Sequence, residues 1–402
     1  MQNTEMTESP WEKGAGARVL DYLRTHRDRM RDLLERLVEL ESPSMLPASQ
    51  RPVQARLREA LADIGYRSRI LAGRTTGGTL YASPAERRHP APYQLILGHT
   101  DTIWPVGTLE EMPMRMDRGR LFGPGTFDMK AGLVQGVFAV EALRHCVGDP
   151  EVTPVFIYNS DEEIGSPDSR EHIVRLAMRA DRALVLEPSL GENGKLKTTR
   201  KGGGDFTVHA TGVAAHAGLE PEKGVSAILE LAHVIRKLHA LNDPVRGVNV
   251  NVGTVEGGIR PNVIAPEASA EVDVRVPTLA DARRVERAIR AIEATASGAS
   301  VEIRGEMDRP PMEQTPGNRR LWELAREAGA QLGLEMEESS SGGGSDGNTT
   351  SLYTPTLDGL GAVGAGAHAS HEHVVLERMP ERAALVALLL AAPSMLPYGA
   401  EA

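Results

Sequence analysis

Hydrophobic positions along the chain follow two periods. From Val19 to about Ile64, Leu20, Leu23, Leu33, Leu34, Leu37 and Val38 recur at roughly helical spacing and predict helix. Residues before about Gly16 carry no such pattern and read as a frayed tail. Short apolar runs then alternate with helical stretches. The pattern predicts strands at Tyr93–Leu97, Val155–Tyr158 and Ala183–Leu186, with a helix from Met129 to about Arg144. Strands separated by helices predict parallel pairing with helices on the sheet faces.

The order changes after Gly202-Gly203-Gly204. Strand Asp205–Thr211, helix Val225–Leu241 and strand Val248–Val255 lead to strand Ala268–Val276, helix Leu279–Ala296 and strand Ser300–Arg304. That βαββαβ order is ferredoxin-like. In the fourth of these elements Ala268, Ala270, Val272, Val274 and Val276 alternate onto one face. Pro310-Pro311 marks the return, followed by a helix over Asn318–Leu332, a glycine-rich loop, a short strand at Gly361–Gly364 and an apolar helix. The predicted class is therefore α/β: a mixed sheet with helices on both faces, interrupted by a ferredoxin-like insert. The expected bounds are 17–203 and 311–402 for the larger domain and 204–310 for the insert.

Composition narrows the function. The 402 residues hold 45 Lys+Arg against 55 Asp+Glu, a net charge of −10, so no general electrostatic footprint for nucleic acid or anionic membrane exists. Aromatics at 4% predict a core of Ala, Val, Leu and Ile. A single cysteine, Cys146, excludes an internal disulfide and a thiolate zinc cage, which suits a reduced, cytoplasmic compartment. No secretory leader is predicted at the N-terminus, and the longest apolar run, Ala383–Ala392, is too short to span a bilayer. The expected partner is a small molecule.

Candidate chemistry collects at strand ends. His99 with Asp101, Glu162 with Glu163, and Glu187 each follow a predicted strand, where ligands bind in open parallel sheets. Asp128 precedes a predicted helix after Gly123-Pro124-Gly125, and a cluster at His368, His371, Glu372 and His373 follows the last short strand. Singly, each group has an ordinary role: helix cap, macrodipole partner, turn histidine or solvated loop acid. Jointly they place about five acids and at least two histidines on one rim. Ionised carboxylates share a small site only when a cation compensates them. Imidazole and carboxylate donors without thiolate suit Zn²⁺, Mn²⁺ or Co²⁺.

The strings Gly98-His99-Thr100-Asp101-Thr102, Gly123-Pro124-Gly125-Thr126-Phe127-Asp128-Met129-Lys130, Asp161-Glu162-Glu163-Ile164-Gly165-Ser166 and Leu186-Glu187-Pro188 resemble the dizinc aminoacylase/carboxypeptidase family, nearest its glutamate-carboxypeptidase members. The resemblance covers nearly the whole chain in the right order, and the insert matches that family's lid. It implies two divalent metal ions, with His99 and Glu187 on one, Glu163 and His368 on the other, and Asp128 bridging. It implies that Asp101 fixes the tautomer of His99, that Glu162 is the general base, and that the Asp128–Met129 peptide is cis. Family spacing selects His368, four residues before Glu372, ahead of His371. In the insert, His216 resembles the lid histidine that reaches a partner subunit's site, which implies a homodimer through the lid. Asn262, Arg275 and Arg309 resemble substrate-contacting residues, and Gly342-Gly343-Gly344-Ser345-Asp346 resembles a loop whose Gly343 and Gly344 line a carboxylate pocket. The implied activity is hydrolysis of an amide bond beside a free carboxylate, releasing C-terminal glutamate or a similar residue. N-acyl-amino-acid deacylation or dipeptide hydrolysis is the alternative.

Other motifs compete. Gly343-Gly344-Ser345-Asp346-Gly347 matches a serine-hydrolase elbow, but the polar run Glu335–Ser341 before it and Pro355 soon after it predict neither the strand nor the helix such an elbow needs. Gly359 to Gly364 spells G-x-G-x-x-G without a following βαβ helix. Cys146 has no activating partner. A binding scaffold would have lost a ligand, whereas all five ligand positions and the base are kept.

Overall fold

The computed structural model describes residues 10–86 and 92–395. It divides into two compact units, one of residues up to Thr198 with Gln314–Ser340 and Ser345 onward, the other of Thr199–Glu313 with Ser341–Gly344. The first nine residues of the predicted tail lie outside the described residues, but the rest of it is not frayed. Trp11 is buried and its indole N–H donates to the Leu388 carbonyl at 2.8 Å. One buried aromatic anchors a stretch that has no period to reveal it. The helical region that follows is three helices, Ala15–Thr25, Arg27–Val38 and Pro47–Asp63.

The main sheet of the larger unit has six strands in the order Tyr66–Leu71, Thr79–Pro84, Thr153–Asn159, Tyr93–His99, Ala183–Val185 and Thr356–Leu357. The first two junctions are antiparallel and the other three parallel, so the sheet is mixed. The antiparallel pair escapes periodicity because Tyr66–Leu71 is an edge strand whose residues stay mostly in contact with water. Along Tyr93–His99, Leu95 and Leu97 pack with the helix Arg170–Ala177, while Ile96 faces the opposite layer of helices. Helices therefore cover both faces.

Helix Ala131–Cys146 begins two residues later than its pattern predicts, because a wide turn over Thr126–Lys130 precedes it. It lies against the strand end that leads to Glu187. A Cβ at Gly132 would meet the Leu186 carbonyl oxygen at 2.1 Å, and one at Gly361 would meet the same atom at 2.1 Å. Only glycine permits both approaches. The short strand expected at Gly361–Gly364 sits further on, at Gly364–Ala365, in a second small sheet ordered Gly364–Ala365, His373–Val375, Arg120–Phe122 and Arg115–Asp117. That sheet ties the segment before Asp128 to the hairpin that carries His368.

The second unit is a four-stranded antiparallel sheet in the order Asn249–Gly257, Glu267–Val276, Gly202–Thr211 and Ser300–Arg309. This is the ferredoxin-like order for a βαββαβ chain. Ala268, Ala270, Val272, Val274 and Val276 are all buried, as their alternation predicts, beneath helices Ala227–His239 and Leu279–Arg290. The second helix is shorter than its pattern, ending at Arg290.

The loop after Glu163 is pinned by Asp168. Its Oδ2 accepts backbone N–H bonds from Arg74 at 2.8 Å, Thr75 at 2.8 Å and Thr76 at 3.0 Å. Burial opposes the charge, but these donors, with the Thr76 hydroxyl and Arg74 guanidinium, hold the carboxyl well below its usual range. Asp168→Asn is expected to cost about 1–2 kcal/mol at pH 7. A depressed folded-state pKa stabilises above the unfolded value and is lost on acidification. The Tm gap to wild type should thus persist down to about pH 4 and close below it. Thermal melts across pH check this.

Candidate metal centre

Three adjacent parallel strands deliver the donors. Strand Thr153–Asn159 runs into Glu162 and Glu163, Tyr93–His99 ends on His99 with Asp101 beyond it, and Ala183–Val185 leads to Glu187. His99 Nε2 lies 3.2 Å from Asp128 Oδ1 and 3.4 Å from Glu187 Oε1. His368 Nε2 lies 3.1 Å from Glu163 Oε2 and 3.6 Å from Asp128 Oδ2. The two oxygens of Asp128 thus face two different histidines. Donor atoms of His99, Asp128 and Glu163, and separately of His99, Glu162 and Glu187, come within 4.8 Å of one another.

Two donors each about 2.1 Å from one ion at the tetrahedral angle stand about 3.4 Å apart. The observed spacings bracket that value, so the residues fit a pair of divalent ions. The charge balance agrees. Burial works against a cationic His99, yet bonds to Asp101, Asp128 and Glu187 raise its ring well above its ordinary value. Its bond to Glu163 lifts His368 to about 9. Burial pushes Glu163 up while His368 pulls it down. These groups recruit positive charge, which is what bound cations supply.

His368 is the histidine of its cluster that faces the carboxylates. It sits at positive φ, 61°, in the turn between Gly364–Ala365 and His373–Val375. His373 instead places Nδ1 on the His371 carbonyl at 2.9 Å and lays its ring against Phe122. The His371 side chain is exposed. Asp101 acts on His99 in two ways. The His99 Nδ1 lies 2.9 Å from the Asp101 backbone carbonyl and 3.4 Å from its carboxylate. The carboxylate also accepts from Ser44 Oγ at 2.6 Å and from the Glu162 and Glu163 backbone N–H groups at 3.3 and 3.1 Å. Ser44 carries no sequence signal for this contact. The Asp128–Met129 peptide is cis, as the resemblance implies.

Sequence spacing uses Glu372 only as a marker for His368, but the structure gives it more. Its side chain is fully buried and takes four donors. Oε1 accepts from the Phe127 and Asp128 backbone N–H groups, each at 2.9 Å. Oε2 accepts from Gly125 N–H at 2.8 Å and the Trp104 indole at 2.9 Å. Burial pushes its carboxyl up to about 7 against these donors.

In the second unit, His216 is exposed and its Nδ1 accepts backbone N–H bonds from Gly218 at 3.1 Å and Leu219 at 3.2 Å. Those bonds leave Nε2 as the protonated, donating nitrogen. The Ala217 N–H donates to the Asn262 carbonyl at 3.0 Å, so His216 and Asn262 stand on neighbouring segments. A bulge between Glu306 and Arg309 re-aims Arg309. Arg309 packs over Gly344, where a Cβ would meet its Cδ at 2.3 Å. The Gly343 and Gly344 carbonyls accept from Arg200 at 3.1 and 2.9 Å. Arg275 pairs with Asp273 at 2.6 Å.

The competing nucleophiles have other work. The strand and helix expected to be missing around Ser345 are present, as Glu338–Ser341 and Asp346–Thr350, but its fully buried Oγ donates to Asp358 and accepts from Gly347 N–H as the cap of that helix. Cys146 rests against the Arg18 carbonyl, its thiol pKa raised by burial.

A mixed α/β fold with a paired imidazole–carboxylate centre defines a dinuclear metallohydrolase. Over residues 95–392 the chain matches Peptidase family M20/M25/M40, and it belongs to that family. It is 29% identical over 304 residues to carboxypeptidase G2 from Pseudomonas sp. (strain RS-16), covering 74% of this chain and 72% of the relative. It is 27% identical over 297 residues to a succinyl-diaminopimelate desuccinylase from Verminephrobacter eiseniae (strain EF01-2), covering 69% and 73%. The crystal structure of the YXEP protein of Bacillus subtilis, a dinuclear metal-binding peptidase from the M20 family, shares the fold with a TM-score of 0.68. It is 16% identical, over 92% of this chain and 98% of that one. Among the described residues no helix is long and apolar enough to cross a membrane.

Proposed function

We propose that this metallopeptidase is a carboxypeptidase that releases C-terminal glutamate or a similar residue. The observation that carries the reading is Asp128 presenting one oxygen to each of two histidines beside Glu162. The similarity to carboxypeptidase G2 supports the substrate class. In this reading His99 and Glu187 hold one ion, Glu163 and His368 the other, and Asp128 both, with zinc the preferred metal for such donors. Divalent ions held there would supply Lewis-acid chemistry to the attacking water and the scissile carbonyl.

The chain's own groups do the rest. Asp101 holds His99 in the tautomer that turns Nε2 toward the acids. Glu162 takes a proton from the attacking water and returns it to the leaving amine nitrogen as the C–N bond breaks. His216 Nε2–H is a ready donor for a developing oxyanion, and it serves the site of a second copy of this chain. Exposed Ile228, Leu229, Val255 and Ile259 on the edge strand Asn249–Gly257, the neighbouring loop and helix Ala227–His239 support a homodimer through this lid. They accompany a cleft of about 730 Å³ on the same unit.

Arg309 is the anchor for the substrate α-carboxylate, with Asn262, Arg275 and the Gly343-Gly344 backbone as further contacts. Arg309→Ala should raise KM about 10-fold or more for free-acid substrates with a smaller change in kcat. Equal losses on the matching carboxamides would remove Arg309 from that role.

The test of the reading is hydrolysis of an N-aroyl-glutamate, N-acetylornithine, other N-acyl-amino acids and simple dipeptides, with added Zn²⁺ or Mn²⁺ and after chelation. Metal-dependent release of glutamate is expected. Preference for N-acyl-amino acids or dipeptides would favour the deacylase or dipeptidase reading, toward which the desuccinylase likeness points. Turnover that survives complete metal removal would overturn both.

A further inference from the structure

We infer that Glu372 is a positioning residue that holds the Asp128 carboxylate in register between the two metal positions, an inference that rests on the dimetal reading. The geometry is unusually complete. One buried carboxylate collects Gly125 N–H, Phe127 N–H, Asp128 N–H and the Trp104 indole N–H within 2.8–2.9 Å. Three of those donors are the backbone of the turn that ends on Asp128. The Glu372 carbonyl also accepts from Gly123 N–H at 3.2 Å, at the other end of that turn.

The same residue is fixed to the His368 side. Its N–H donates to the Ala369 carbonyl at 2.9 Å, closing the turn on which His368 stands. Next to it, His373 pairs with Phe122 across the small sheet. Glu372 therefore joins the two segments whose side chains, His368 and Asp128, stand 3.6 Å apart. Trp104 extends the link to the loop just past His99 and Asp101.

The two carboxyl oxygens orient the peptide groups that aim Asp128, because a turn of this length has no regular ladder to hold it. An amide cannot do this, since it replaces one acceptor oxygen by a donor. In Glu372→Gln the –NH₂ faces two N–H groups, donor against donor, at whichever pair it meets.

The experiment measures metal affinity and unmetallated stability separately, on the full chain. Metal-free wild type, Glu372→Gln and Trp104→Phe are titrated with Zn²⁺ in competition with a chromophoric chelator. Near-UV circular dichroism and thermal melts are recorded without metal. Glu372→Gln is expected to weaken zinc binding about 10- to 100-fold. Trp104→Phe, which removes one of the four donors, should weaken it about 3- to 10-fold. The metal-free spectra should stay native, the metal-free Tm of Glu372→Gln should fall by the cost of its mismatched amide, and the Tm gain on adding zinc should shrink as well.

A lower metal-free Tm with unchanged zinc affinity would make Glu372 a structural clamp and overturn the inference. Should Glu372→Gln fail to fold, wild-type affinity in Trp104→Phe overturns it equally. Wild type that binds no zinc would instead overturn the dimetal reading, a different failure.

Discussion

Glu162→Gln is expected to lower kcat by roughly 10²–10⁴-fold while the protein keeps both metals. The carboxylate lies with His99 and Glu187 at the strand-end rim, where a base must stand to take a proton from water and deliver it to the amine. Glutamine preserves shape and removes basicity. Metal analysis separates this role from ligation, because the donor atoms of Glu162 also fall within coordinating distance of His99 and Glu187. If the variant loses one equivalent of metal along with turnover, Glu162 is a ligand and the base lies elsewhere. Glu163→Gln provides the contrast. Its Oε2 faces His368 at 3.1 Å, so metal content should fall there. Near-normal kcat in Glu162→Gln would end its part in the mechanism.

The second large effect is on the metals themselves. Asp128→Ala should lower affinity at both positions by more than about 100-fold, beyond the cost of losing an outer partner alone. The reason is geometric: Oδ1 addresses His99 and Oδ2 addresses His368, so one truncation opens two sets of donors. Removing it also leaves Glu163, Glu187 and Glu162 in a site where burial already disfavours charge. Asp128→Asn keeps one acceptor oxygen and should retain metal on one side. Plasma emission analysis after dialysis, with zinc titration, reads the stoichiometry. A fully loaded and active Asp128→Ala protein would overturn the shared-carboxylate arrangement.

Much of the centre is legible in sequence for a simple reason. Parallel strands buried on both faces read as short apolar runs, so their ends can be located, and chemistry gathers at those ends. His99, Glu162, Glu163 and Glu187 all stand in that position. The insert is equally plain, since period-two alternation survives in Glu267–Val276, where one face is buried and the other exposed. Strand Tyr66–Leu71 is less plain, because an exposed edge strand resembles a loop, and its neighbour Thr79–Pro84 is short and mixes Thr, Ser and Pro with its apolar positions.

Other features depend on partners distant in the chain. Trp11 is an anchor only because Leu388 is its acceptor, and the Ser345 cap is held in place by Asp358, which accepts from its hydroxyl. Glu372 looks like one more loop acid until the turn Gly125–Asp128 folds onto it from 244 residues away. The local sequence by itself determined the three central strands, their ends and the residue types brought to the rim, because burial periods are written within each of those segments. Family spacing already selects His368, but only the tertiary structure turns it toward the acids, and it alone decided which carboxylate aims Asp128. Those choices rest on hydrogen bonds between segments that no local pattern encodes.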